Sequence, residues 1–124
     1  MANINIKIDT GKDLTTFTVE GVLTAAEILQ YSSEYYEKSP TKYVLWDATA
    51  GSVSKITNEE FSKIAKYMKK YTKKRAGGKT ALVGRFDIDF GLARQYGAYA
   101  EIEQLPVEYQ IFRSVEEAMK WLQF

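Results

Sequence analysis

The sequence predicts an α/β protein with a mixed sheet and the element order β-β-α-β-α-β-α-β-α. Three observations support this fold class. Alternating residues near the N-terminus are typical of a β-hairpin, three S/T-x-x-E signatures mark helix starts, and two short apolar segments between them are typical of central strands. The chain has 124 residues. A single domain, residues 1–124, is expected at this length.

The N-terminal segment is expected to form an antiparallel hairpin. Large side chains recur at every second position on both sides of a polar turn at residues 10–13: Ile4, Ile6 and Ile8, then Thr15, Phe17 and Val19. This period of two places one side chain in two on the buried face of a sheet. Gly21 ends the second strand.

Helix starts are marked by capping boxes, in which a hydroxyl and a glutamate three residues later satisfy each other's backbone amides. The pairs are Thr24 with Glu27, Thr57 with Glu60, and Ser114 with Glu117. They predict helices near 25–38, 58–74 and 115–123. A fourth helix, at about 88–103, is expected to begin from Asp87.

Strands fill the spaces between the helices. Residues 43–46 and 81–83 are continuously apolar, as in central strands covered on both faces. Residues 107–111 alternate between large and polar side chains, which indicates an edge strand. Strands that alternate with helices along the chain favour parallel pairing through right-handed β-α-β crossovers.

The composition excludes several kinds of chemistry. The chain has no Cys and no His, which removes thiol nucleophiles, His-based triads and the usual zinc or iron sites. We therefore expect a protein that is not an enzyme and that holds no metal and no cofactor. It also lacks an apolar segment of membrane-spanning length and a signal-peptide core, so a cytoplasmic location is expected.

Positive charge is concentrated in one segment. Residues 57–80 carry eight basic and two acidic side chains, whereas the whole chain has a net charge of +1. The cations surround an apolar stripe on the predicted second helix: Lys63, Lys66, Lys69, Lys70, Lys73, Lys74 and Arg75. A solvated helix face is the common explanation of such a pattern.

The same lysines also fit an anionic membrane surface. The predicted membrane or anion patch comprises Lys63, Lys66, Lys70, Lys73 and Lys74. Nucleic acid is a weaker candidate, because no aromatic side chains for base stacking are interleaved with these cations.

Two places in the chain are candidate sites. Asp47 follows the apolar segment 43–46, where it could face a ligand or cap its own loop by accepting from the amide of Thr49 or Ala50. The segment 85–100, RFDIDFGLARQYGAYA, carries two apolar stripes and two helix-weakening glycines. A ligand groove, a dimer surface and ordinary core all remain open for it.

If the segment 85–100 does form a ligand groove, its aromatic residues would supply an apolar wall and its arginines would contact a head group. The wall residues are Phe86, Phe90, Tyr96 and Tyr99. The arginines are Arg85 and Arg94, which could instead form ion pairs with Asp87, Asp89 or Glu101.

Several motifs resemble the small bacterial SpoIIAA-like proteins over nearly the full length. They are the strand GKTALVG, the helix FGLARQYGAYAE and the ending VEYQIFRSVEEAMKWL. The resemblance implies a STAS-type fold, related to anti-sigma-factor antagonists and more distantly to CRAL-TRIO lipid carriers. It also implies strands in successive order and crossover helices on one face. The other face, with Tyr43, Leu45, Leu82 or their alternates, would then be open to a ligand, a second copy or a flexible helix.

STAS antagonists carry a phosphorylated serine at the helix start after the third strand. The matching stretch here is 56–59, where Thr57 is the only hydroxyl and is already expected to cap the helix. Glu59 and Glu60 would repel a phosphate on Thr57. A phosphorylation switch at Thr57 is therefore disfavoured.

The leading hypothesis is a non-enzymatic binding module for a lipid-like or amphipathic small molecule, with peripheral membrane contact. The alternative is a STAS-type regulatory module that binds a protein partner. A homodimer is compatible with either function, because a second copy could cover an open sheet face.

Overall fold

The computed structural model describes residues 2–38 and 40–124. Its elements follow the predicted order: β1 (Asn3–Asp9), β2 (Leu14–Val22), α1 (Ala25–Lys38), β3 (Tyr43–Ser52), α2 (Asn58–Met68), β4 (Lys79–Gly84), α3 (Asp87–Ile102), β5 (Glu108–Phe112) and α4 (Val115–Trp121). A 3₁₀ turn, Thr72–Arg75, lies between α2 and β4.

The five strands form one mixed sheet in the successive order β1-β2-β3-β4-β5. The first two strands pair antiparallel and the other pairs are parallel, as predicted. The register places Phe17 beside Trp46, and Trp46 beside Leu82. These three side chains therefore project from the same face of neighbouring strands.

The predicted helix caps are present. The Thr57 hydroxyl accepts from the amide of Glu60 at 3.1 Å, and the Glu60 carboxylate accepts from the amide of Thr57 at 3.0 Å. Thr24 and Glu27 make the same reciprocal pair. Ser114 accepts from the amide of Glu117 at 3.2 Å. These three helices therefore start where their sequence signatures place the start. In α3, by contrast, Phe86 and not Asp87 precedes the first helical residue, and Phe86 makes no side-chain cap.

The second helix is shorter than predicted. It ends at Met68 rather than near residue 74, and the chain tightens into the 3₁₀ turn. This turn carries Arg75 inward, where its side chain is only 5% exposed. The expectation that Arg75 belongs to the cationic helix surface is therefore wrong.

The third strand is longer than predicted, because residues 47–52 continue it instead of forming a loop. The extension pairs with β2 up to Val22 beside Ser52, past an irregularity between Thr18 and Glu20. At Gly51 a Cβ atom would lie 2.8 Å from the carbonyl oxygen of Val19. Only glycine allows β2 to approach this closely.

Both faces of the sheet are covered by helices. The crossover connections place α1, α2 and α3 over the face that carries Trp46. On the opposite face, Leu45 and Ala81 are buried in a cluster with Ala118 of α4 and Leu122, which directly follows α4.

The expectation of an open central face is wrong, because the C-terminal helix of the chain covers it. Leu45 is 2% exposed, and the ring of Tyr43 packs edge-on against Phe124 with centroids 5.3 Å apart. Leu82 lies on the other face, under the crossover helices. The small side chain of Ala118 allows the short α4 to lie close to the sheet.

Candidate functional site

An apolar cavity of about 110 Å³ lies between the sheet and the helices α1, α2 and α3. Side chains from the sheet and from each of the three helices contribute to its wall, among them Phe17, Trp46, Leu82, Ile28, Phe61 and Ala93. The cavity follows the face that the register of β2, β3 and β4 makes apolar. The central strands form the floor of the cavity, and the crossover helices that pack over them form its other walls.

Aromatic rings form much of the cavity wall. Trp46 stacks on Phe17 with ring centroids 4.3 Å apart and an interplanar angle of 13°. Tyr96 of α3 meets Tyr109 of β5 edge-on at 5.5 Å. Stacked and edge-to-face rings are favoured geometries, so these walls hold their shape.

The pKa values of two phenols at the cavity are raised. Burial raises the pKa of the Tyr96 hydroxyl well above its ordinary value, and Tyr109 beside it adds to this effect. Burial likewise raises the pKa of Tyr109. Both groups therefore stay neutral at ordinary pH and act as hydrogen-bonding groups rather than as nucleophiles.

Arg75 stands at one end of the cavity with every guanidinium donor used. Its Nε donates to the carbonyl of Thr41 at 2.7 Å, and Nη1 donates to Thr80 Oγ1 at 2.9 Å and Tyr36 Oη at 3.3 Å. Nη2 donates to the carbonyls of Lys42 at 3.0 Å and Lys79 at 2.9 Å. The charge is thus satisfied by carbonyl and hydroxyl oxygens.

Asp89 stands at the other end, on the first turn of α3, and is 1% exposed. Its Oδ1 accepts from Ser52 Oγ at 2.9 Å and from the amide of Val53 at 2.8 Å. Its Oδ2 is buried and has no hydrogen-bond partner among the residues that the structure describes. One carboxylate oxygen is therefore left unsatisfied beside the cavity.

The approach of α3 to the sheet fixes the position of Asp89. A Cβ atom on Gly84, at the end of β4, would lie 3.2 Å from the Asp89 Cβ and the amide nitrogen of Phe90. The missing side chain at Gly84 therefore lets the helix begin close to the strand end.

Arg75 and Asp89, which carry opposite charges, lie at opposite ends of the cavity. Arg75 bonds to Thr80, near the start of β4, whereas Asp89 lies against Gly84 at its finish. Four residues of extended strand span about 13 Å. A molecule lying along β4 would thus have a cation at one end and a carboxylate at the other.

The structure does not bring the predicted ligand residues into one place. Tyr96 lines the cavity. Phe90 and Arg94 line a separate open groove between α3 and β5. Arg85 and Phe86 are exposed. Tyr99 packs in the cluster around Phe61 and Ile64, outside the cavity wall.

Asp87, an alternative ion-pair partner of Arg85 and Arg94, is bound by another arginine. Arg113 donates to Asp87 at 2.7 Å, and its guanidinium lies 4.3 Å from the centroid of Phe90. Arg85 instead lies over the Phe86 ring at 5.4 Å. The two arginines proposed as head-group contacts thus lie outside the cavity.

Asp47 lies on the sheet face opposite the cavity, because it is next to Trp46 in an alternating strand. Its Oδ1 accepts from the Thr49 amide at 3.0 Å and the Thr49 hydroxyl at 2.7 Å. This confirms the capping interpretation for Thr49, although the residues belong to β3 rather than to a loop.

The lysines of the predicted patch are exposed on α2, on the 3₁₀ turn and on the short connection between them. Lys63 pairs with Glu59 at 3.4 Å, and Lys74 donates to the carbonyl of Tyr36 at 3.2 Å. Lys66, Lys70 and Lys73 surround a shallow depression beside Tyr67. These three lysines and Tyr67 form a basic surface with a partly exposed ring at its centre.

Two of the lysines near this surface make contacts of their own. Lys70 lies 4.4 Å from the centroid of the Tyr67 ring, and Lys69 pairs with Glu103 at 3.6 Å.

The Thr57 hydroxyl, the candidate phosphosite, is exposed but is hydrogen-bonded to the side chain and the backbone amide of Glu60. The candidate phosphosite is therefore a helix cap in this structure.

Among residues 2–38 and 40–124, three or more His, Cys, Asp or Glu side chains do not converge on a common point where a metal could bind. No helix in the same part of the chain is long and apolar enough to cross a membrane.

Sequence reasoning missed Arg75 and Asp89 as the charged residues of the cavity. For Arg75 the available signal was residue type, because it is an arginine that closes a run of lysines, and arginine is the preferred cation for buried hydrogen bonding. For Asp89 it was spacing, because Asp89, Ala93, Tyr96 and Ala100 recur every three or four residues along the inward stripe of α3.

Comparison with known proteins finds similarity at the level of structure but not at the level of sequence families. No family model and no curated protein matches the sequence. A solved structure does match: an uncharacterized protein of the DUF3478 family with a SpoIIAA-like fold from Shewanella loihica PV-4. It is 20% identical, with a TM-score of 0.60 over 98% of this chain and 95% of that chain. Together with the sheet order, this match shows that the chain has a SpoIIAA-like fold.

Proposed function

We propose that this chain is a non-enzymatic binding module that holds a small apolar or amphipathic, lipid-like molecule between its sheet and the helices α1 to α3. The observation that carries the proposal is the apolar cavity of about 110 Å³. Atoms that line an unfilled apolar space forgo van der Waals contacts, and an apolar ligand restores them. Apolar clefts with a few polar groups are typical of small-molecule sites.

Arg75 and the two buried tyrosines at the cavity favour binding over catalysis. The donors of Arg75 are all engaged by protein oxygens, and Tyr96 and Tyr109 are held neutral by burial. Catalysis by general acid or base needs a group that exchanges its proton near the working pH. The two tyrosines do not meet this requirement, so they are better suited to hold a molecule than to convert it.

Filling the cavity tests the proposal. Ala93 lines the cavity, whereas Ala98 is exposed on the same helix. In isothermal titration calorimetry with 1-octanol, Ala93→Leu should weaken binding by about tenfold or more. Ala98→Leu should bind like the unmodified chain, and circular dichroism should show both variants folded. Equal 1-octanol affinity in all three proteins would contradict the proposal.

A peripheral contact with anionic membranes is part of the proposal. Lys66, Lys70 and Lys73 are exposed together around Tyr67. Each lysine near an anionic lipid surface contributes about 1 kcal/mol. The partly exposed aromatic ring suits the boundary between head groups and acyl chains.

The alternative function is regulatory binding of a protein partner, which includes a second copy of the chain. Phe86 is 55% exposed and Ile88 is 57% exposed at the start of α3. Adjacent exposed apolar side chains favour such a contact. If a second copy is the partner, sedimentation equilibrium should show a dimer that the double variant Phe86→Ser, Ile88→Ser dissociates. A monomer in both proteins would contradict the dimer.

A further inference from the structure

We infer that the cavity selects ligands whose head group donates a hydrogen bond, an amine or a hydroxyl, and that Asp89 receives it. The inference rests on the proposed binding function. It adds the chemical class of the ligand and the residue that recognises it.

The first step concerns the oxygens of Asp89. A carboxylate can accept about four hydrogen bonds. Two of them come from Ser52 Oγ and the amide of Val53, and both go to Oδ1. Oδ2 is buried without a partner among the described residues. Because a buried acceptor without a donor costs free energy, a ligand that supplies a donor gains from meeting it.

The second step concerns the rigidity of this carboxylate. Ser52 Oγ also accepts from the amide of Ser54 at 3.0 Å, so its hydroxyl hydrogen is directed to Asp89. The side chain is 1% exposed, so it is held by these two bonds to Oδ1 and by burial. Asp89 lines the cavity, and Oδ2 is its acceptor that has no partner among the described residues.

Donating and accepting head groups meet different partners at the two ends of the cavity. A ligand carboxylate brings only acceptor oxygens, so it supplies no hydrogen bond to Asp89 Oδ2. At the opposite end it would meet Arg75, whose N–H groups already donate to Thr41, Thr80, Tyr36, Lys42 and Lys79. That cation has no free donor for an incoming anion. Of the two charged residues, Asp89 is the one with an available position in the described part of the chain, and this position is an acceptor that favours amines and alcohols.

A matched series of probes tests the inference. Octylamine, 1-octanol and octanoate share an alkyl chain and differ in the head group. By calorimetry at neutral pH, the amine and the alcohol should bind about tenfold or more tightly than octanoate. A tighter amine than alcohol would support charge pairing at Asp89, and equal affinities would support a hydrogen bond alone.

The variant Asp89→Asn should reverse the preference. Asparagine keeps one oxygen for Ser52 and Val53 and replaces Oδ2 with a donating amide nitrogen. Octanoate should gain at least about tenfold relative to octylamine in this variant. Asp87→Asn is the matched control, because Asp87 is exposed on the same turn and pairs with Arg113. It should leave the order of affinities unchanged.

The outcomes separate this inference from the proposed function. If no probe binds the unmodified chain, the binding function fails and the inference fails with it. If all probes bind with equal affinity, or if Asp89→Asn folds and keeps the original preference, the binding function stands and the inference is overturned. Should Asp89→Asn fail to fold, tight binding of octanoate by the unmodified chain would still overturn the inference.

Discussion

The indole ring of Trp46 lies parallel to the phenyl ring of Phe17, with centroids 4.3 Å apart, and both rings line the cavity. The parallel pairing of β2 with β3 sets the two residues side by side. The other tryptophan, Trp121, lies on the opposite face of the sheet, with its ring 5.7 Å from that of Phe112. One tryptophan of this chain therefore reports on the cavity and the other does not.

Tryptophan fluorescence should locate the ligand. In Trp121→Phe, where Trp46 is the remaining tryptophan, 1-octanol should change the emission in a saturable manner, because the ligand enters the environment of the indole. In Trp46→Phe, the emission of Trp121 should stay constant over the same titration. An equal response from Trp121 would place 1-octanol elsewhere.

Arg75 should be essential for stability. Replacement by methionine removes five donated hydrogen bonds, three of them to the carbonyls of Thr41, Lys42 and Lys79. The Thr41 carbonyl keeps the Tyr35 hydroxyl and the Lys42 carbonyl keeps the Lys79 amide as donors. The expected loss is about 3 kcal/mol or more in the free energy of unfolding by urea. Lys73→Met, on the same 3₁₀ turn but exposed, should change it by less than about 0.5 kcal/mol. Similar stabilities of the two variants would contradict the structural role of Arg75.

Stability should fall in alkaline solution. The pKa values of Tyr96 and Tyr109 are raised in the folded chain by burial, while an unfolded tyrosine titrates near about 10. Above that pH the unfolded state releases protons that the folded state keeps. The free energy of unfolding therefore falls with pH, by about 1.4 kcal/mol per pH unit for each group.

The double variant Tyr96→Phe, Tyr109→Phe should flatten this dependence in urea unfolding measured between pH 9 and 11. The control is Tyr31→Phe, a helix residue outside the cavity wall. An unchanged slope in the double variant would show that these two hydroxyls do not cause the alkaline loss.

Membrane contact should depend on where the lysines lie. Replacing Lys66, Lys70, Lys73 and Lys74 with glutamine should reduce sedimentation with phosphatidylserine vesicles by about tenfold or more, because each lysine contributes about 1 kcal/mol at such a surface. Replacing four lysines elsewhere, Lys7, Lys12, Lys42 and Lys55, changes the net charge equally. If both variants lose the same affinity, net charge rather than this surface determines binding.

Local signals in the sequence were sufficient for the element order and the helix starts. Capping at Thr57 depends on residues within one helical turn, and the hairpin depends on alternation within a few residues. Such short-range rules hold because the tertiary structure does not oppose them. The successive strand order came from the family resemblance, and the sheet confirms it.

The errors came from long-range packing. Residues 47–52 are small and polar, and they form a strand because β2 extends beside them. The face expected to be open is covered because Ala118 and Leu122 pack on Leu45 and Ala81, a contact between distant parts of the chain. Propensity alone does not determine either outcome.

The site was predicted less well than the fold for the same reason. Tyr96, one of the predicted wall residues, lines the cavity, whereas Asp89 is held there by bonds to Ser52 and Val53, more than thirty residues earlier. Arg85 and Phe86 lie only a few residues before Asp89 in the sequence, yet they are exposed and Asp89 is buried. Which of these side chains points inward is determined by the rotational phase of α3, and composition does not show it.

The central claim is that the cavity between the sheet and α1 to α3 holds a small molecule, and native mass spectrometry of gently purified protein tests it most directly. The account predicts a discrete added mass that is lost on denaturation. It also predicts that Ala93→Leu, which reduces the space, lowers the occupied fraction, while Ala98→Leu does not. A chain without any added mass, which also fails to take up 1-octanol or octylamine during titration, would contradict the account.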